Sequence, residues 1–216
     1  MITRTPADKE HAMTTADTDL SPEAAKAEAL HQSALEALSR KEIETAREGF
    51  AKALEQFEVL GDDIGVAMTS HNLGLTCQEA GELDEARAWL EKSLAISERE
   101  DLDGGMTVTC HQLGVVAQLA EDNDTAMEWY IRALALEEKS GNVAGEAKTS
   151  HQLGIVSHLR GDLEAAKAWY ARSIDCFAKV GDEHSVANTQ KLLDFVTDYQ
   201  RQGSHEGHAG PCGRPQ

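Results

Sequence analysis

From position 63 onward, apolar residues recur at helical steps of three and four instead of alternating. Met68, Leu73, Leu75 and Cys77 mark one helix over roughly 63–79. Ala86, Leu90, Leu94 and Ala95 mark a second, after the break Gly81-Glu82-Leu83-Asp84. So short a break permits only an antiparallel helical hairpin, and its acidic residues are expected to cap the second helix. The hairpin then recurs in steps of 40 residues. His71-Asn72-Leu73-Gly74 returns as His111-Gln112-Leu113-Gly114 and as His151-Gln152-Leu153-Gly154. Trp89, Trp129 and Trp169 keep the same step, as do Ala86, Ala126 and Ala166.

Small residues explain how the two helices of a hairpin pack. Gly74, Gly114 and Gly154 fall mid-helix, where glycine costs about 1 kcal/mol against alanine. That cost is tolerable where a neighbouring helix approaches closely, with Ala86, Ala126 and Ala166 facing. Gly61, Gly141 and Gly181 close the second helices, where a left-handed cap residue is wanted, and Asp101 takes that place once. The pattern predicts clear hairpins over 61–100, 101–140 and 141–180. Residues 21–60 form a divergent first unit, in which His31, Ala34, Ala46, Phe50 and Leu54 keep the register. Ser21-Pro22 opens its first helix. Residues 181–201 form one capping helix, in which Lys191 and Asp194 replace the histidine and glycine. Residues 1–20 and 202–216 are expected to be flexible tails.

Leucine-glycine in the first helix, alanine early in the second, and Leu90, Tyr130 or Tyr170 four residues on resemble the tetratricopeptide repeat signature. The resemblance covers about residues 21–201. The unit is longer than the usual 34 residues or so, as in the long-helix variety, and the family's proline near the end of the second helix is absent. The fold expected is therefore all-α: an α-solenoid of antiparallel helical hairpins with a C-terminal capping helix. By the resemblance, the first (A) helices line a concave groove and present His71, Leu75, Gln78 and Glu79, then His111, Val115, Gln118 and Leu119, then His151, Ile155, His158 and Leu159. His31, Leu35 and Leu38 extend the row. The resemblance implies a non-enzymatic adaptor or scaffold that binds a protein or peptide segment.

Charge narrows the partner. The chain carries 38 acidic against 20 basic residues, a net charge of −18. Such a surface repels nucleic acid, whose binding needs Lys and Arg against phosphate, and repels anionic membranes. It attracts a basic peptide, although acid also serves to keep an exposed solenoid in solution. No stretch approaches the ~20 apolar residues of a membrane span, and the first twenty residues lack the apolar core of a secretory signal. A cytoplasmic location is expected. Cys77, Cys110 and Cys176 fall at small or apolar helical positions and are expected to be packed and reduced.

The histidine row admits three readings: hydrogen bonding between neighbouring A helices, recognition of a partner's backbone, or a small-molecule or metal-linked role as a sensor or accessory enzyme. Geometry disfavours the third. Packed helices lie ~8–10 Å apart, whereas Zn–N bonds are ~2.0–2.1 Å. No catalytic motif, phosphate loop or dinucleotide fingerprint appears. No catalytic residue, metal ligand or cofactor is expected, though His205, His208 and Cys212 could take up a stray ion. The tryptophan row reads as packing between hairpins. The last helix holds Val186, Leu192, Leu193, Phe195, Val196 and Tyr199, more apolar surface than a cap needs, so Phe195 and Tyr199 are candidates for homodimer contacts.

Overall fold

The computed structural model describes residues 21–206, with side chains to residue 201. Its helices are α1 (Pro22–Ser39), α2 (Ile43–Leu60), α3 (Asp63–Glu79), α4 (Leu83–Arg99), α5 (Asp103–Leu119), α6 (Asn123–Ser140), α7 (Val143–Leu159), α8 (Leu163–Lys179) and α9 (Glu183–Glu206). Each packs chiefly against the next in sequence, so four hairpins stack in order and α9 closes the stack. Helix α9 runs past the expected end at 201. The expectations for residues 1–20, and for His208 and Cys212, lie outside the described residues, as does the side chain of His205.

The turns carry a finer period than the hairpins. Lys41, Gly61, Gly81, Asp101, Glu121, Gly141, Gly161 and Gly181 all have positive φ. One left-handed residue therefore closes every helix from α1 to α8, and three of the eight are not glycine. Asp62, Asp122, Asn142, Asp162 and Asp182 follow and accept hydrogen bonds from the next helix's first turn. Glu82, expected to cap α4, makes no such bond. Its longer side chain reaches back to Arg47 on α2 instead, at 2.5 Å.

The close approach expected at the mid-helix glycines is present. A Cβ on Gly74 would lie 2.7 Å from Leu90 Cγ and 3.2 Å from the Ala86 carbonyl; one on Gly154 would lie 2.5 Å from the Tyr170 ring. The first hairpin reaches the same contact with the roles exchanged. Ala34 stands at the glycine position, and Gly49 on α2 makes the room, since a Cβ there would fall 2.8 Å from that of Ala34. Leu73, Leu113 and Leu153 are buried in the hairpin cores. Trp89 packs against two successive core clusters, which makes it a residue between hairpins. Cys77, Cys110 and Cys176 are free and buried.

Candidate partner-binding face

The histidines are rungs between A helices. Nδ1 of His31, His71, His111 and His151 lies 2.9, 3.1, 3.0 and 3.0 Å from the hydroxyl of Thr69, Thr109, Thr149 and Thr189 on the following A helix. The first rung is the tightest. His31 is 2% exposed, with Nε2 3.1 Å from the Asn72 amide and its ring edge-on to Phe50 and Phe57. His31 therefore does not extend the exposed row as expected, because Phe57 and Asn72 cover it. His71, His111 and His151 are half-buried, and among the described residues Nε2 of these three meets no hydrogen-bond partner. Burial lowers the pKa of all four; Lys148 adds to this at His111 and Glu28 opposes it at His31. They are therefore neutral at pH 7.

The other predicted face residues lie beside this ladder. Leu35, Leu38, Leu75, Gln78 and Glu79 come together around one depression of 350 Å³ between α1 and α3. Gln112 Nε2 donates to Gln78 Oε1, and Gln118 accepts from the Tyr130 hydroxyl at 3.0 Å. Both glutamines thus already serve contacts within the chain. Val115 and Ile155 are half-buried against the third and last core clusters. Leu119 and Leu159 are more than half exposed. His158 lies 5.7 Å from the ring of Phe195, which stacks on Tyr199. Val196 of α9 is buried and Val186, Leu192 and Leu193 are half-buried, whereas Phe195 and Tyr199 remain exposed.

A second ladder, not anticipated, runs along the B helices. Lys92, Arg132 and Arg172 pair with Glu58, Glu98 and Glu138 of the preceding B helix. Lys92 and Arg132 also lie over Trp89 and Trp129, at 5.3 and 5.7 Å from the ring centres. Each pair is worth little alone, but the row leaves a charged, mutually satisfied surface. The A-helix side is different. Ile64, Met68, Val108, Leu119 and Leu159 are each more than half exposed there, whereas on the described B helices Val59 alone passes that mark.

Between α6 and α7 the His–Thr rung gains a third member. Thr149 donates to Oε1 of Glu137 at 3.1 Å, which fixes the hydroxyl as an acceptor toward His111 Nδ1–H. Glu137 is buried, its Oε2 finds no partner, and burial pushes its carboxyl up to about 7. Among the described residues, the one group with metal-ligand spacing is Cys77, Glu82 and Glu85, which includes no histidine. Arg47 pairs with both of those carboxylates.

No curated protein matches the sequence. Solved structures similar to it include aspartyl phosphate phosphatase F from Bacillus subtilis, 14% identical over 87% of this chain and 49% of its own, with a TM-score of 0.77. The Rap conjugation gene regulator of the plasmid pLS20, solved in complex with the Phr* peptide, is 19% identical over 88% of this chain and 50% of its own, with a TM-score of 0.69. BtubC from P. vanneervenii is 15% identical over 99% of this chain and 97% of its own, with a TM-score of 0.66. The chain spans about half the length of the first two. At these identities the likeness establishes the fold alone. The family model for the tetratricopeptide repeat matches residues 27–99 and 107–193, most of the solenoid, and the chain belongs to the tetratricopeptide repeat family.

Proposed function

We propose that the chain is a non-enzymatic adaptor or scaffold that holds a protein or peptide segment along its A-helix face. The observation that carries this reading is the division of the surface. Five large apolar side chains more than half exposed lie on α3, α5 and α7, against Val59 alone on the described B helices, which lace their charges together. His71, His111 and His151 each keep one ring nitrogen for a partner's backbone, with Leu75, Val115 and Ile155 offering apolar contact beside them. A similar fold, that of the Rap conjugation gene regulator, has been solved with a peptide, which gives the reading a precedent. With a net charge of −18, a basic segment is the partner favoured, and nucleic acid and anionic membrane are disfavoured. No helix among the described residues is long and apolar enough to cross a membrane. Free, buried cysteines suit a reducing compartment such as the cytoplasm. The stack from 21 to the end of α9 at 206 is taken to act as one unit, with 1–20 and 207–216 outside it. The alternative of a small-molecule or metal-linked sensor or accessory enzyme built on the histidines loses ground, since each Nδ1 already meets a threonine.

The test is affinity capture from the native extract with wild type, a Leu119→Glu/Leu159→Glu variant, and Ile131→Glu on α6 as a B-face control. A protein retained by wild type and the control and lost by the A-face variant supports the reading. Equal capture by all three contradicts it. Self-association through α9 is a second reading, favoured by Phe195 and Tyr199 at 57% and 59% exposure. Sedimentation that shows a concentration-independent monomer, with no change on Phe195→Glu, would exclude it.

A further inference from the structure

One junction of the solenoid departs from the others in several ways at once. Helix α2 ends with Phe57 packed on Gly65, α6 carries Glu137 against Gly145 and α8 carries Phe177 at the same place; α4 has only the small Ser97 there. Helix α3 begins Asp63-Ile64-Gly65, but α5 begins Asp103-Gly104-Gly105. The left-handed turn residue is Asp101 where its counterparts are glycines, and the N-cap is Leu102 where they are Asp or Asn. Local rules broken together at one place point to a site more often than to chance.

The result is a pocket. The equivalent space holds 150 Å³ at the α1–α3 junction, where Phe57 fills it, and 300 Å³ at the α7–α9 junction, where Phe177 stands. Between α3 and α5 it holds 670 Å³, within the range of built ligand sites. Ser93 and Ser97 line it from α4, with Ala67, His71 and Thr109 beside them and Ile64, Met68 and Val108 exposed around them. Its charged lining residues are Asp101 and Asp103, both acidic. Asp103 already holds Lys139 at 2.8 Å, whereas Asp101 makes no salt bridge among the described residues.

We propose that the pocket between α3 and α5 receives one aromatic side chain of the segment bound along the A-helix face, with a neighbouring Lys or Arg of that segment meeting Asp101. This rests on the groove reading and names its anchor. Two observations fix the occupant. The same frame is filled by the protein's own phenylalanine at the first and last junctions, so a partner's aromatic ring can enter from outside what Phe57 supplies from within. The acidic lining complements a basic flank and repels an acidic one. Residues 1–20 and 207–216 contain no Phe, Tyr or Trp, so they do not supply the ring.

The test pans a displayed random nine-residue peptide library on the whole chain. A selected synthetic peptide is then titrated onto wild type, Ser97→Phe and Leu119→Glu/Leu159→Glu. Ser97→Phe rebuilds the Phe57–Gly65 pair against Gly105, so Tm is expected to rise. Gly104→Ile is the second variant; a Cβ at Gly104 meets nothing within 4 Å. The proposal expects selected peptides with an aromatic residue beside Lys or Arg, bound at least tenfold more weakly by both filling variants. It is overturned by peptides that lack an aromatic, by affinity unchanged in Ser97→Phe, or by no enrichment at all. In the second case, loss of binding in the Leu119→Glu/Leu159→Glu variant keeps the groove reading, and its retention removes that too. Displacement of the peptide by free indole at comparable affinity would mark a small-molecule site instead. Self-association abolished by Ser97→Phe would mark a second copy. Either result overturns the proposal.

Discussion

Replacing Glu137 by Gln should stabilise the protein above neutral pH and do little at pH 4.5. Glu137 lies near the C-terminal end of α6, where the first and last hairpins carry Phe57 and Phe177. It is 4% exposed, and its partners are the Thr149 hydroxyl on one oxygen and none on the other. Burial raises its pKa from 4.5 to about 7; the Thr149 hydrogen bond opposes this, Glu146 adds to it, and Arg172 and Lys148 oppose it. The folded protein therefore holds a proton that the unfolded chain has released between those values. Stability is fully present below the lower value and is lost as pH rises through the upper one, at about 1.4 kcal/mol per pH unit and about 3 kcal/mol in all. Gln keeps the shape and an acceptor for Thr149, places an N–H₂ where the unpartnered oxygen stood, and does not ionise. Urea unfolding of both proteins from pH 4.5 to pH 8.5 reads the difference directly, because the histidines are common to the two. The variant's advantage should grow by about 3 kcal/mol across that range and level off above pH 7. Parallel curves would show that the carboxyl titrates normally and that the burial argument is wrong.

Thr109→Val should cost about 1 kcal/mol in urea unfolding, because Nδ1 of half-buried His71 loses its hydroxyl partner while the side-chain volume is kept; unchanged stability would mean that the rung contributes nothing. Glu121→Gly should raise stability by about 0.5–1 kcal/mol, because Glu121 holds φ at 61° in the turn between α5 and α6, where glycine pays no Cβ penalty. Loss of stability in that variant would show that its side chain does more than close the turn.

The helices were legible because core positions repeat at a fixed step. Leu73, Leu113 and Leu153 announce the buried face, and the glycine that follows each leucine announces the close approach of Leu90, Tyr130 or Tyr170. The site was less legible because polar side chains choose partners in space. Thr69, Thr109, Thr149 and Thr189 recur as regularly as the histidines, yet a threonine on a helix does not declare which neighbour it meets. Glu58, Glu98 and Glu138 are three among 38 acidic residues in the sequence, and only the packing sets Lys92, Arg132 and Arg172 opposite them. Glu82 follows a turn glycine like a cap but is drawn away by Arg47. The pocket between α3 and α5 was missed for a different reason. It is written in small residues, Ser97 and Gly104, where the other junctions carry Phe57 and Ile64, Glu137 and Ala144, or Phe177 and His184, and neither position belongs to the shared pattern that marks the repeat.

The most direct measurement of the central claim is amide hydrogen exchange on the full chain, free and saturated with a captured partner segment or a selected peptide. Docking on the A-helix face predicts new protection in α3, α5 and α7, strongest in the first turns of α3 and α5, with any change in α4 confined to the turn around Ser93 and Ser97 that lines the pocket, and with α6 and α8 unchanged. Protection confined to the B helices or to α9 would contradict it.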